Sequence, residues 1–229
     1  PNQTALVAWY YYNHKMYREA LEWFKLAIDK GGDGMVAHGL ALSLLNLEMR
    51  REAEEVAYAW RDTLINNLIL YIDILERDLT KPIPPYIETE RLVRYGQVSM
   101  EITSGEGAQG LAWYAYNSCQ FDVALMWFER AMAWYPKEAT AYGFALALEK
   151  VKRRGDEMVV INRYDGLFAK VVAIIFPDGL IRPPGPCDTQ PTAVRQDNRR
   201  GRREAYLDPN ASAIALSQRY PNTAQSDAS

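Results

Sequence analysis

Residues 8–28 have the sequence AWYYYNHKMYREALEWFKLAI, and residues 112–132 have the sequence AWYAYNSCQFDVALMWFERAM. The second stretch begins 104 positions after the first and pairs tryptophan with tryptophan twice. At the same spacing and without a gap, Gly39 falls on Gly143. Because self-similarity at a fixed spacing is typical of repeat architectures, we interpret the two stretches as copies of one structural unit.

Within each copy, small and large apolar residues alternate at the spacing of an α-helix. A break at residues 13–16 divides two short helices, and the glycine-rich residues 31–34 end the second one. Small residues let antiparallel helices approach closely, and large ones fill the gaps between them. Further helix pairs follow from the same pattern, at residues 35–47 with 50–60 and at residues 137–152 with 156–164. The predicted repeat-packing residues are Ala8, Ala20, Phe24, Ala27, Ala112, Ala124, Phe128 and Ala131.

These positions resemble the tetratricopeptide repeat family. The matching residues are Ala8, Tyr17, Ala20, Phe24 and Ala27 in the first copy, and Ala112, Phe121, Ala124, Phe128, Ala131 and Pro136 in the second. Two further repeats, at residues 35–67 and 139–170, match weakly. The resemblance implies an all-α fold, a right-handed solenoid of antiparallel helix pairs.

The chain divides by composition into two parts. Residues 1–176 are predicted to form the helical-repeat solenoid, with helices at 63–79 and 86–102 bridging the two copies in one elongated stack of about a dozen helices. Residues 177–229 are rich in Pro, Gln, Asn, Ser and Arg, and they are predicted to be an extended or disordered tail. Its arginines either contact an acidic partner or form a solvated run; they are Arg199, Arg200, Arg202 and Arg203.

Composition and motifs argue against several functional classes. A net charge of −3 does not suggest nucleic-acid binding, and no apolar run is long enough for a membrane span. The GxGxxG pattern at residues 105–110 follows a predicted helix rather than the strand that a dinucleotide site needs. His14 and His38 are assigned structural or surface roles, because no metal or nucleophile motif accompanies them. We therefore predict a protein without cofactor, metal or catalytic residues.

The two cysteines, Cys119 and Cys187, neither form a disulfide scaffold nor show a metal-binding spacing. These two cysteines therefore do not indicate whether the protein resides in an oxidising or a reducing compartment. The chain begins at Pro1 rather than at Met, so we expect a processed product or a fragment.

One set of residues is repeated in both copies without being required for helix pairing. We call it the aromatic stripe; it comprises Trp9, Tyr12 and Asn13, and Trp113, Tyr116 and Asn117. The spacing of i, i+3 and i+4 places each trio on one helix face. The resemblance to tetratricopeptide repeats implies that this helix lines a concave groove that holds extended peptides. The alternative is that these residues only pack between repeats.

Three functions follow as hypotheses. The first is a non-catalytic scaffold or adaptor whose groove binds a protein or peptide partner. The second rests on a looser resemblance of the strings AWYxYN, ALxWFxxA and GLALSL to helical-repeat proteins encoded with bacterial cellulose and exopolysaccharide machinery. It implies a periplasmic component of a synthesis and export system, with polysaccharide as a further partner. The third is an accessory module of a larger enzyme or regulator.

Overall fold

The computed structural model describes residues 2–176 and Cys187. Within these residues the secondary structure is entirely helical, so the all-α prediction is confirmed. The helices are α1 (Asn2–Asn13), α2 (Tyr17–Asp29), α3 (Gly34–Asn46), α4 (Arg50–Ala59), α5 (Ile65–Leu79), α6 (Thr89–Glu101), α7 (Gly105–Asn117), α8 (Phe121–Trp134), α9 (Glu138–Lys150), α10 (Arg154–Arg163) and α11 (Ala169–Ala173). Across the described residues, none of these helices is both long and apolar enough to cross a membrane.

The chain forms two compact units, Pro1–Leu75 and Glu76–Ser229, and the boundary lies inside α5. Each unit contains one copy of the repeated sequence. The predicted arginine-containing tail at residues 177–229 lies outside the described residues, except for Cys187. The elongated solenoid and the division at residue 176 stay predictions.

In the first unit, α1 packs on α2, α2 on α3 and α3 on α4. The connections between paired helices are short because one residue in each takes a left-handed backbone conformation. Lys15 has φ 60° between α1 and α2, and Glu48 has φ 61° between α3 and α4. Asp33 begins α3, since its carboxylate accepts hydrogen bonds from the backbone N–H groups of Met35 and Val36, both at 3.1 Å.

The second unit repeats this arrangement in helices α7 to α10. Helix α7 packs on α8, α8 on α9 and α9 on α10, while α6 packs on the other side of α7. The left-handed residues recur at equivalent positions, with φ 63° at Cys119 and φ 62° at Lys152. Because helix α6 precedes residues 105–110, the GxGxxG pattern there is the first turn of α7 and does not follow a strand.

The core of each unit is built on a phenylalanine that lies against a glycine of the next helix in the chain, α3 in the first unit and α9 in the second. In the first unit the ring of Phe24 occupies the space that a Cβ atom at Gly39 would need, and in the second unit Phe128 does the same at Gly143. All eight residues predicted to pack the repeats are 0% exposed. Small residues around the ring therefore bring three helices of each unit into contact.

We expect Gly39→Ala to lower the free energy of unfolding by about 1–3 kcal/mol, because the added methyl group overpacks the site of the Phe24 ring. Gly155→Ala, in the first turn of α10, is the matched control, since a Cβ atom there meets nothing within 4 Å. That variant should gain up to about 1 kcal/mol from helix propensity. Urea denaturation followed by circular dichroism measures both. Equal stability of the two variants would contradict this account of the core.

Candidate functional site

Trp9 of the aromatic stripe packs against two aromatic neighbours in the first unit. Its ring stands edge-on to Phe24 with centroids 5.0 Å apart, and edge-on to Tyr12 at 5.5 Å. Such edge-to-face pairs are favoured by the charge distribution of aromatic rings. One part of the Trp9 side chain is buried in this cluster, and the rest stays accessible. The residue therefore both packs and presents apolar surface.

The second unit reproduces the same aromatic cluster. Trp113 stands edge-on to Phe128 with centroids 5.3 Å apart, and edge-on to Tyr116 at 5.7 Å. Because both copies share this geometry, packing accounts for part of the repetition of the stripe. Its role in binding stays a prediction.

The remaining stripe residues differ between the copies. In the first unit Tyr12 is half-buried and Asn13 is exposed. In the second unit Tyr116 is only 2% exposed, and the side-chain amide of Asn117 donates a hydrogen bond to the carbonyl oxygen of Lys81 at 3.0 Å. Trp9 and Trp113 are both half-buried, so the two copies of the stripe differ in Tyr12 and Asn13, which are more accessible than Tyr116 and Asn117.

A disulfide joins Cys187 to Cys119, beside the second copy of the stripe. The Cα atoms of the two residues are 5.5 Å apart, within the normal range for a disulfide. The sulfur of Cys187 lies 3.6 Å from the backbone carbonyl oxygens of Tyr116 and Asn117. The bond links residues 68 positions apart. No prediction from the sequence included this pair, because nothing local in the sequence indicates such a pairing.

A depression opens beside Trp9, between the start of α1 and the start of α3. We call it the Trp9 depression; its volume is about 430 Å³. The lining is mostly apolar, and Asp33 is its one charged residue. Since that carboxylate already caps α3, it is engaged in the fold. The lining residues are Ala5, Leu6, Trp9, Gly31, Gly32, Asp33, Met35 and Val36.

Polar bridges occupy the equivalent position of the second unit. Lys137 forms an ion pair with Glu106 at 2.5 Å, and the hydroxyl of Thr140 donates to the side-chain oxygen of Gln109. The hydrogen bond to Glu106 raises the pKa of Lys137 above its ordinary value. The first unit has Ala5 and Val36 at the positions of Gln109 and Thr140, so that second bridge cannot form there.

Both histidines make contacts within the first unit. The Nδ1 atom of His14 lies 2.8 Å from the carbonyl oxygen of Tyr10, and that of His38 lies 3.1 Å from the side-chain oxygen of Asn67. Among the described residues, no group of three or more His, Cys, Asp or Glu is placed to hold a metal ion. Comparison with protein-family models, with curated proteins and with solved structures finds no match.

We expect Cys187→Ser to lower the free energy of unfolding of the second unit by about 2–4 kcal/mol, because the disulfide restricts a long loop of the unfolded chain. Thermal melting with and without dithiothreitol measures this change. The reductant should destabilise the wild-type chain and leave Cys187→Ser unaffected. A non-reducing peptide map that lacks the Cys119–Cys187 cross-link would contradict the pairing.

Proposed function

We propose that the chain is a non-catalytic adaptor, and that its first unit holds an apolar side chain of a protein partner in the Trp9 depression. The observation that carries this proposal is the accessible surface of Trp9 beside an open, mostly apolar depression. Its volume lies within the roughly 300–1,000 Å³ of typical ligand sites. Tryptophans that are already fixed in position lose little entropy on binding, which makes them effective anchors.

The lining chemistry favours a protein segment over a sugar. Leu6, Met35 and Val36 offer aliphatic and thioether contacts, whereas sugar hydroxyls need several free hydrogen-bonding groups. The side chain of Asn13 lies one helical turn beyond Trp9 and is exposed, so its amide is able to donate to and accept from a peptide backbone. Protein recognition through an apolar anchor with a polar neighbour is therefore the function that we favour.

A second candidate function is a periplasmic component of a bacterial cellulose or exopolysaccharide system. The Cys119–Cys187 disulfide favours it, because disulfides persist in oxidising compartments such as the bacterial periplasm. In such a system the adaptor would hold another protein of the assembly, a polysaccharide chain, or both.

We expect peptides selected from a phage-displayed library against the wild-type chain to bind at least about tenfold more weakly to Met35→Glu, a change of about 1.4 kcal/mol in binding free energy. The introduced carboxylate would have to lose its water beside the bound apolar side chain. Isothermal titration calorimetry measures the affinity. Met158→Glu is the matched control, since Met35 is 47% exposed and Met158, on α10, is 40% exposed. Equal affinity for the wild-type chain and Met35→Glu would count against the Trp9 depression as the binding site.

Titration with cello-oligosaccharides, followed by tryptophan fluorescence, distinguishes polysaccharide binding from protein binding at the Trp9 depression. Sugar stacked on the accessible part of Trp9 should change the emission at millimolar concentration. An unchanged spectrum would argue against polysaccharide at this site and leave the protein version standing.

A further inference from the structure

A second depression lies in the second unit, where side chains of α8, α9 and α10 meet at the surface. We call it the α8–α10 slot; its volume is about 240 Å³. The lining is mostly apolar and carries one charged residue of each sign. It includes Glu129, Met132, Phe144, Val159, Arg163 and Tyr164. The slot shares no residue with the Trp9 depression or with the aromatic stripe.

The apolar side chains of the slot are accessible to another molecule. Val159 of α10 is 62% exposed, and Met132 and Phe144 are half-buried. The ring of Tyr164 stacks on that of Phe168, with centroids 4.9 Å apart. Because the volume lies below the roughly 300–1,000 Å³ of typical small-molecule sites, the slot fits one apolar side chain better than a larger ligand.

The two charged residues of the slot have no partners in the part of the chain that the structure describes. Within it, Glu129 and Arg163 form neither a hydrogen bond nor an ion pair, with each other or with any other residue. At the start of α10 the situation differs, since Arg154 pairs with Glu157 at 3.4 Å. The slot therefore presents an unpaired carboxylate and an unpaired guanidinium beside an apolar opening.

The same positions of the first copy form an ordinary charged surface. Lys25 stands at the position of Glu129, and Glu55 stands at the position of Val159. The side chains of Lys25 and Glu55 are 52% and 44% exposed, although α5 follows α4 in that copy. Exposure of this surface is thus a property of both copies, and only its chemistry differs.

The second copy lacks the ion pairs that cover this surface in the first. Glu22 and Arg51 supply the partners of the two charged residues there, at 2.9 and 2.8 Å. Met126 and Gly155 occupy their positions in the second copy, so Glu129 has no such partner. An exposed apolar surface rimmed by polar groups is typical of protein–protein interaction sites.

We infer that the α8–α10 slot binds a protein segment in which one apolar side chain lies between a basic and an acidic residue. The apolar side chain enters the slot, the basic residue pairs with the Glu129 carboxylate, and the acidic residue pairs with the Arg163 guanidinium. Ion pairs at a surface contribute little free energy, so they select and orient the partner, and the apolar contact supplies most of the affinity. This inference does not depend on the Trp9 depression, which lies in the other unit.

The test begins with phage-displayed dodecapeptides, random at every position. They are selected against the full chain carrying Met35→Glu, which places a charge in the Trp9 depression and so disfavours apolar ligands there. The selected sequences should place an apolar residue between a basic and an acidic one. Failure to select any peptide, or selection of sequences without this pattern, would overturn the inference and leave the proposed function untouched.

Val159→Glu locates the binding, and we expect it to keep the fold because the first copy has glutamate at that position. It should weaken the affinity for a selected peptide at least about tenfold, since the bound apolar side chain would strip water from the new carboxylate. Met158→Glu, on the same helix and outside the slot, is the matched control and should leave the affinity unchanged. Isothermal titration calorimetry measures both. Equal affinity of Val159→Glu and the unaltered slot would overturn the inference.

Glu129→Arg tests the charges, because it leaves the slot with two guanidinium groups. This variant should bind the selected peptide at least about threefold more weakly. It should also bind a second peptide, whose basic residue is replaced by glutamate, more tightly than the unaltered slot does. A variant that binds both peptides equally weakly would show that the carboxylate only supports the fold, and it would overturn the inference.

Photo-cross-linking identifies the occupant of the slot. The full chain with Val159→p-benzoylphenylalanine should cross-link to the selected peptide on irradiation. A cross-link formed without peptide, either to a second copy of the chain or to residues 188–229 of the same chain, would assign the slot to the chain itself and overturn the inference.

Discussion

The contact between the Phe24 ring and the backbone at Gly39 determines how the first unit is assembled. Because the ring fills the place of a side chain on α3, helices α2 and α3 come close enough for Ala20, Ala27 and Phe24 to be fully buried. Trp9 of α1 packs edge-on against the same ring. One phenyl group thus ties three successive helices together, and its surroundings tolerate little change in volume.

The second unit keeps this contact, at Phe128 and Gly143, and changes what surrounds it. Polar bridges stand where the first unit has the Trp9 depression, and helices cover the side of α7 that corresponds to the exposed Leu6 and Tyr10 of α1. The two copies thus retain the same core contact and differ at their surfaces. The residues that the fold depends on are shared, and the surface residues that a partner would contact are not. The packing residues meet the same constraint in both copies, whereas the Trp9 depression is particular to the first copy.

The disulfide is a feature of the second unit that the first unit lacks at the equivalent turn. It fixes Cys187 at the turn between α7 and α8, beside the carbonyl groups of Tyr116 and Asn117. At the corresponding turn the first unit has Lys15, which shares the left-handed backbone conformation of Cys119 and cannot form such a bond. The turn geometry is therefore common to both copies, and the covalent bond to Cys187 is particular to the second.

The amino-acid sequence by itself determined the helices, their pairing and the residues at the centre of each unit. These features depend on local periodicity and on the repeat: α5 begins at Ile65 within the predicted 63–79, and Asp33 caps α3 within the predicted break at 31–34. Only the tertiary structure decided which surfaces are open. Tyr10 and Tyr114 are the same residue at equivalent positions, yet one is exposed and the other buried, because different elements pack beside them. The Cys119–Cys187 pair and the Trp9 depression likewise arise from contacts between distant segments, which no local pattern encodes.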